Sequence, residues 1–352
     1  MESEQNCDDD NNFRHAFGEH TGISSRCRKE IDRTKSNDPD LTALSLYLSD
    51  VGQFSDLALE LLGGYIAKNE HLKDIDLEAC GLTDAKMSLL FRNWTMGRSL
   101  SRLDLEGNEF GVDGVRSMVP FLNNARNLIT LHMNNNDNIN TACFILMVEA
   151  LHAAGGSIEE LILNQCNIDD ITALEHYLLP RLTSLDLDHN NVQSMPSSLE
   201  NYLKLEQLWL EGSSIGREGF KMIAKLLQND GSFLKSLDLR SNNMDDLDAE
   251  TLVNSLKCNT MMREFYLEGS NVTEKILSAF SKLLNDISSI ERTYNSNHNL
   301  IHLNLTDSTD ATIKKITRHI NQAIRINKNN EGNSHAAGRA KVIGTQLNSK
   351  ER

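Results

Sequence analysis

Two groupings in the sequence have the residue types and spacing that chemistry would require. Gly212-Ser213-Ser214-Ile215-Gly216 matches G-x-S-x-G, the strand-to-helix turn that presents a serine nucleophile. Register argues against it. When the apolar frames that recur along the chain are aligned, Ser214 falls where Glu109 and Asn271 stand, and Ser213 and Ile215 occupy structural positions. The second grouping is histidine. His298 and His302 are four apart but flank a loop-to-strand junction, not one helical face, and His132 and His189 lie in non-adjacent frames. Both pairs read as solvated surface histidines rather than metal ligands. Cys7, Cys27, Cys80, Cys143, Cys166 and Cys258 form no C-x-x-C pair, and no glycine-rich phosphate loop is present. The expectation is no catalytic residue, no metal site and no cofactor, hence no enzyme.

The elements that position the remaining polar residues are set by one frame, seen at Leu205, Leu208, Leu210, Ser213 and Ile215 and again at Leu234, Leu237, Leu239, Asn242 and Met244. Frames begin at Leu41, Leu72, Leu100, Leu128, Ile158, Leu182, Leu205, Leu234, Met262 and Leu300, spaced 31, 28, 28, 30, 24, 23, 29, 28 and 38 residues. L-x-x-L-x-L-x-x-N is the leucine-rich repeat signature, a short strand followed by a turn with a polar ladder residue. Spacings near 28 leave room for a helix, and linkers such as TDAKMSLLFRNW and REGFKMIAKLLQ carry helical apolar periodicity.

Over about Leu41 to Ile326 the pattern resembles the long leucine-rich repeats of the ribonuclease-inhibitor-like class and of intracellular immune receptors. That resemblance implies an α/β solenoid with a parallel sheet on the concave side and helices on the convex side. The chain departs from it at the 24- and 23-residue repeats, where NNVQSMPSSL (residues 190–199) has no room for a full helix. Ladder positions are Ser49, Cys80, Asn108, Asn136, Cys166, Asn190, Ser213, Asn242, Ser270 and Ser308, so Cys80 and Cys166 read as buried ladder residues. Trp94, among Leu89, Leu90 and Phe91, reads as core.

Strand alternation fixes which side chains leave the core. The central exposed row contains Asp76, Asp104, Asp186, Trp209, Asp238 and Tyr266, and the next row Glu78, Glu106, Glu211 and Glu268. Carboxylates on such a row are solvated by default, whereas an exposed Trp and Tyr are the usual anchors of a protein interface. These ten residues form the candidate protein-binding site.

Charge points to the partner. The net charge is −15, yet residues 311–352 carry nine Lys/Arg against two acids, +7, which leaves −22 on residues 1–310. An acidic body disfavours nucleic acid and suits a basic protein. Residues 1–40 are polar and without apolar periodicity and are expected to be disordered, 41–326 to form the solenoid with a C-terminal capping helix, and 327–352 to be a flexible basic tail. MESEQNCDDDNN lacks a signal-like apolar region and no run approaches the ~18 apolar residues that span a bilayer, so a cytoplasmic protein away from membranes is expected. The function that follows is a non-catalytic protein-binding scaffold. Resemblance to leucine-rich activators of small GTPases offers a GTPase regulator instead, with Arg217 and Arg240 as its candidates; the sensor portion of a receptor or ubiquitin-ligase assembly is a further alternative.

Overall fold

A computed structural model describes residues 2–18, 23–46, 51, 54–95, 99–268, 273–304 and 310–344. The chain divides into two units, Met1–Leu182 and Thr183–Arg352.

The first unit contains α1 (Glu2–Phe17), α2 (Ser25–Lys35), β1 (Ala43–Ser45), α3 (Asp56–Lys68), β2 (Asp74–Asp76), α4 (Asp84–Phe91), β3 (Arg102–Asp104), α5 (Val112–Leu122), β4 (Thr130–His132), α6 (Thr141–Ala153) and β5 (Glu160–Ile162), then one 3-10 turn at Thr172–Glu175. Its strands pair in parallel and in chain order, and Leu44, Ile75, Leu103, Leu131 and Leu161 stand in register. All five are buried, so the leucine of each frame points into the core and its two strand neighbours point away. Trp94 is fully buried, stacked 4.6 Å from Phe91 at 7° and 5.0 Å from Phe121. It packs as the frame implies.

The second unit contains β6 (Ser184–Asp186), a 3-10 turn at Leu199–Asn201, β7 (Gln207–Trp209), α7 (Arg217–Gln228), β8 (Ser236–Asp238), α8 (Asp246–Ser255), β9 (Glu264–Tyr266), α9 (Glu274–Leu284), α10 (Ile290–Tyr294), β10 (His302–Asn304), α11 (Ala311–Asn329) and α12 (Ser334–Val342). Here too the strands are parallel, with Leu185, Leu208, Leu237, Phe265 and Leu303 in register. Helices occupy the long linkers, and the two short linkers hold only 3-10 turns. The fold is the α/β leucine-rich-repeat solenoid.

The ladder is made of buried amides. Oδ1 of Asn108 accepts from the backbone N–H of Cys80 (3.1 Å) and Leu82 (3.0 Å), while Nδ2 donates to Leu77 O (3.0 Å) and Leu105 O (2.9 Å). Asn242 accepts from Ile215 N and donates to Leu210 O and Arg240 O. Cys80 donates its thiol to Leu46 O at 3.0 Å and Ser213 its hydroxyl to Leu187 O at 2.7 Å, so both substitute for one arm of the amide. The residue before the ladder is left-handed in repeat after repeat, at Ala79, Gly107, Asn135, Gln165, His189, Gly212 and Ser241. Ladder residues Ser49, Ser270 and Ser308 lie outside the described residues.

Both ends differ from expectation. Residues 1–40 contain two helices instead of a disordered segment. α2 buries Cys27, Ile31 and Thr34 against α3, Asn69 donates to Thr34 O at 3.1 Å, and Phe17 packs on Phe54 at 5.5 Å. They cover the apolar edge that a first repeat otherwise exposes. At the other end α11 buries Ile320, Ala323 and Asn327 and packs on α9 and β10. Residues 327–344, expected in a flexible tail, finish α11 and form α12, which buries Ala337 and Lys341 against α10 and α11. Gly338 lets that helix approach closely, since a β-carbon there would sit 2.9 Å from Tyr294 O. The last part of the expected tail, residues 345–352, lies outside the described residues.

Candidate functional site

The candidate residues fall into two groups, one in each unit. In the first unit Asp76 is half-buried and accepts from Ser45 Oγ at 3.1 Å. Asp104 is not an exposed carboxylate. It is 4% exposed, with Arg102 Nη2 at 2.6 Å and His132 Nδ1 at 3.2 Å from the same oxygen, Oδ2. Burial opposes its ionisation, but the bonds from His132 and the Glu106 backbone N–H, with the charge of Arg102, hold its pKa below the usual value. His132 is thereby engaged in a network and is no solvated histidine. Burial and the carboxylates of Glu106, Asp104 and Asp76 push Glu78 upward. Glu106 accepts from Asn135 Nδ2 at 2.7 Å.

The second unit gathers more. Trp209 and Tyr266 come from strands separated by β8, yet their rings lean together to a centroid distance of 6.1 Å. Tyr266 continues the row to His302 at 4.8 Å, and the guanidinium of Arg240 lies 5.6 Å from the Tyr266 centroid. Under this cover Asp238 is fully buried. It is gripped by Arg240, with Nε at 3.0 and 2.8 Å from its two oxygens and Nη2 at 2.6 Å from Oδ2. The same Nη2 lies 2.6 Å from Glu211 Oε2. Asp238, like Asp104, was expected to be exposed. In both cases an arginine two residues away on the same strand face neutralises it and closes over it.

Asp188, Glu211 and Asp238 each bring an oxygen within 4.8 Å of the others, a donor set able to take a cation. The chain's own Arg240 supplies a cation to two of them, so an internal ion-pair network accounts for the cluster. Burial and repulsion from Asp186, Asp238 and Glu211 outweigh the bond from the Glu211 N–H and raise Asp188 to about 7. Asp186 is half-buried, and Glu268 is exposed and accepts from Asn304 Nδ2 at 2.8 Å.

The other chemical candidates come apart. His298 is half-buried: its Nε2 donates to Tyr294 O at 2.6 Å, so Nδ1 is left to accept from Lys341 at 3.0 Å. His302 instead belongs to the aromatic row, so the pair shares no site. Ser213 is a ladder residue and Ser214 is an exposed left-handed turn residue. Arg217 pairs with Asp245 and, at 3.2 Å, Asp248, and Arg240 is half-buried and paired with Asp238 and Glu211, which leaves both guanidinium groups engaged within the chain.

Comparison with known proteins agrees with this architecture. One family model, described as Leucine Rich repeat, matches residues 98–119 and 232–253, and a second, Leucine Rich Repeat, matches the short repeat at 181–202. The ribonuclease inhibitor of Sus scrofa is 28% identical over 214 residues, 57% of this chain and 46% of that protein. A protein phosphatase 1 regulatory inhibitor subunit PPP1R7 homolog from Arabidopsis thaliana is 26% identical over 193 residues, 52% of each. The chain therefore spans about half the length of the curated relatives it matches. Among solved structures, a TLR13–ssRNA13 complex superposes at a TM-score of 0.44, with 17% identity and coverage of 76% of this chain and 36% of that one. An internalin (inlF) of Listeria monocytogenes superposes at 0.36, with 13% identity and coverage of 85% and 97%. Neither superposition bears on function. The chain carries leucine-rich repeats and is similar over about half its length to a ribonuclease inhibitor, with two short repeats in its middle.

Proposed function

We propose that this protein is a non-catalytic scaffold that binds a basic protein through the strand face of its second unit. The observation that carries the reading is the row Trp209–Tyr266–His302, two half-buried rings and one exposed, packed beside Arg240 on a parallel sheet. Rings held by their neighbours lose little freedom on binding, which is what makes aromatic side chains effective anchors. Asp186, Glu264 and Glu268 add negative charge on the same strand face. The relatives support the same class of role, since one is named an inhibitor of ribonuclease and the other a regulatory inhibitor subunit of a protein phosphatase. No described helix is long and apolar enough to cross a membrane.

The test is affinity capture from the native cell at low and high salt, followed by measured affinity for the captured partner. Trp209→Ala is expected to cost on the order of 2–4 kcal/mol of binding. Glu268→Gln should mainly slow association, and less so at high salt, because rim charges steer encounter. If Trp209→Ala leaves every partner bound, this face is not the site. In the first unit Asp104→Asn should matter little to binding, because that carboxylate faces Arg102 and His132 rather than solvent.

A further inference from the structure

One groove on the helical side of the second unit has a lining of net positive charge. A cavity of about 710 Å³ opens between α8 and α9 and is closed at one end by the segment after α10. Four cations line it, Lys257, Lys275, Lys282 and Arg292, against two acids, Glu250 and Asp286. Lys275 is tied to Glu250 at 3.1 Å and Arg292 to Asp286 at 3.8 Å. Lys257 and Lys282 have no carboxylate within 4.0 Å among the described residues, though the charge of Lys282 still acts on Asp286, so the lining keeps an excess of two cations in a chain of net charge −15. The floor is apolar: Val253, Ile276 and Leu283 are buried beneath the cationic rim.

Helix geometry explains the convergence. Lys275 and Lys282 are seven apart on α9, two turns along one face, and Glu250 and Lys257 repeat that spacing from within α8 to just past its end. The linker that follows, 38 residues from Met262 to Leu300 against 28 before it, supplies α10, which carries Arg292, and the segment after it. A volume of this size lies within the roughly 300–1,000 Å³ of small-ligand sites, which pair apolar walls with a few placed polar groups.

We infer that this groove binds a phosphate monoester on an apolar body, with Lys257 and Lys282 holding the dianion and Val253, Ile276 and Leu283 receiving the organic part. Two ammonium groups match a dianion better than a single carboxylate, and lysine binds phosphate as a point charge without needing a forked geometry. The ester has two sources, a free small molecule or a phosphorylated side chain of a protein. The site is independent of the strand face and of its partner.

The probe is phenyl phosphate, titrated into the full chain and followed by backbone amide NMR. Saturable shifts confined to α8, α9 and residues 292–297 are expected, weaker with either phenol or inorganic phosphate alone, since each engages half of the site. Lys257→Glu with Lys282→Glu should raise Kd roughly tenfold or more, and added salt should raise it too. Both lysines are exposed, and an unchanged thermal midpoint checks that the double variant is folded. Trp209→Ala should leave phenyl phosphate binding untouched, which separates this site from the strand face. A phosphotyrosine peptide that binds more tightly than phenyl phosphate assigns the ester to a protein, and one that binds more weakly assigns it to a free small molecule. Shifts that never saturate, that map elsewhere, or that survive the double charge reversal overturn the inference.

Discussion

Each ladder asparagine closes a set of hydrogen bonds that its own repeat cannot close alone. Asn108 satisfies two backbone N–H groups and one carbonyl of the preceding repeat through a single buried amide. Asn108→Ala would leave those groups buried and unpaired, and is expected to cost about 1–3 kcal/mol. Cys80→Ser should cost less, because a serine hydroxyl already makes the equivalent bond at Ser213. Thermal unfolding of the two variants measures the difference, and equal midpoints would mean that the amide is not what holds the turn. The same scale explains why the exposed carboxylate row was over-read. Strand alternation puts residues i and i+2 on one face, so Arg102 beside Asp104 and Arg240 beside Asp238 were visible neighbours in the sequence. What alternation does not show is that the guanidinium folds back over the carboxylate and buries it. Trp209 and Tyr266 were legible because nothing in their frames could hide two large rings. His302 was missed because it stands one row below the positions considered.

Among the elements, α12 shows what hydropathy does not register. Its contacts run through Ala337, Gly338 and Lys341, which pack because they are small or long, not because they are oily. α2 is similar: Cys27, Ile31 and Thr34 share a face inside a strongly charged segment. The strands and long helices, by contrast, follow from leucines whose period leaves one reading. Lys341 makes the docking of α12 sensitive to pH. Its Nζ is fully buried and donates to Leu284 O, Asn297 O at 2.9 Å and His298 Nδ1 at 3.0 Å. Burial lowers its pKa to about 7, against ~10.4 for a free lysine. Between those values the undocked form carries the extra proton, so docking strengthens as pH rises from about 7 and weakens as it falls back. His298, lowered by burial and by Lys341, acts in the same direction: the undocked ring protonates first, and docking weakens further as pH falls through about 6.5. Amide exchange in residues 334–342, corrected for intrinsic rates, should therefore quicken relative to β8 from pH 9 to pH 6. Lys341→Met should remove most of the change above pH 7. A pH-independent ratio would show that the lysine does not govern docking.

On the scale of the whole molecule, a repeat array is stabilised by each repeat's contact with its neighbours, so its weakest stretch is where a repeat offers least apolar area. Residues 168–200 have only 3-10 turns where other repeats have helices of 8 to 13 residues. Amide exchange is expected to be faster there than in the strands at Leu103 or Leu237, and uniform protection would contradict it. The ladder has a mechanical counterpart. Because its bonds lie between successive repeats, pulling the chain by its ends loads them in series, and extension should proceed by discrete rips as single repeats let go. A released repeat lengthens the chain by at most ~3.6 Å per residue. The 28-residue repeats should then give steps of about 100 Å and the 23-residue repeat one of about 80 Å. In an optical trap the shorter step should come at the lowest force, so that step length alone tells which part of the array has yielded.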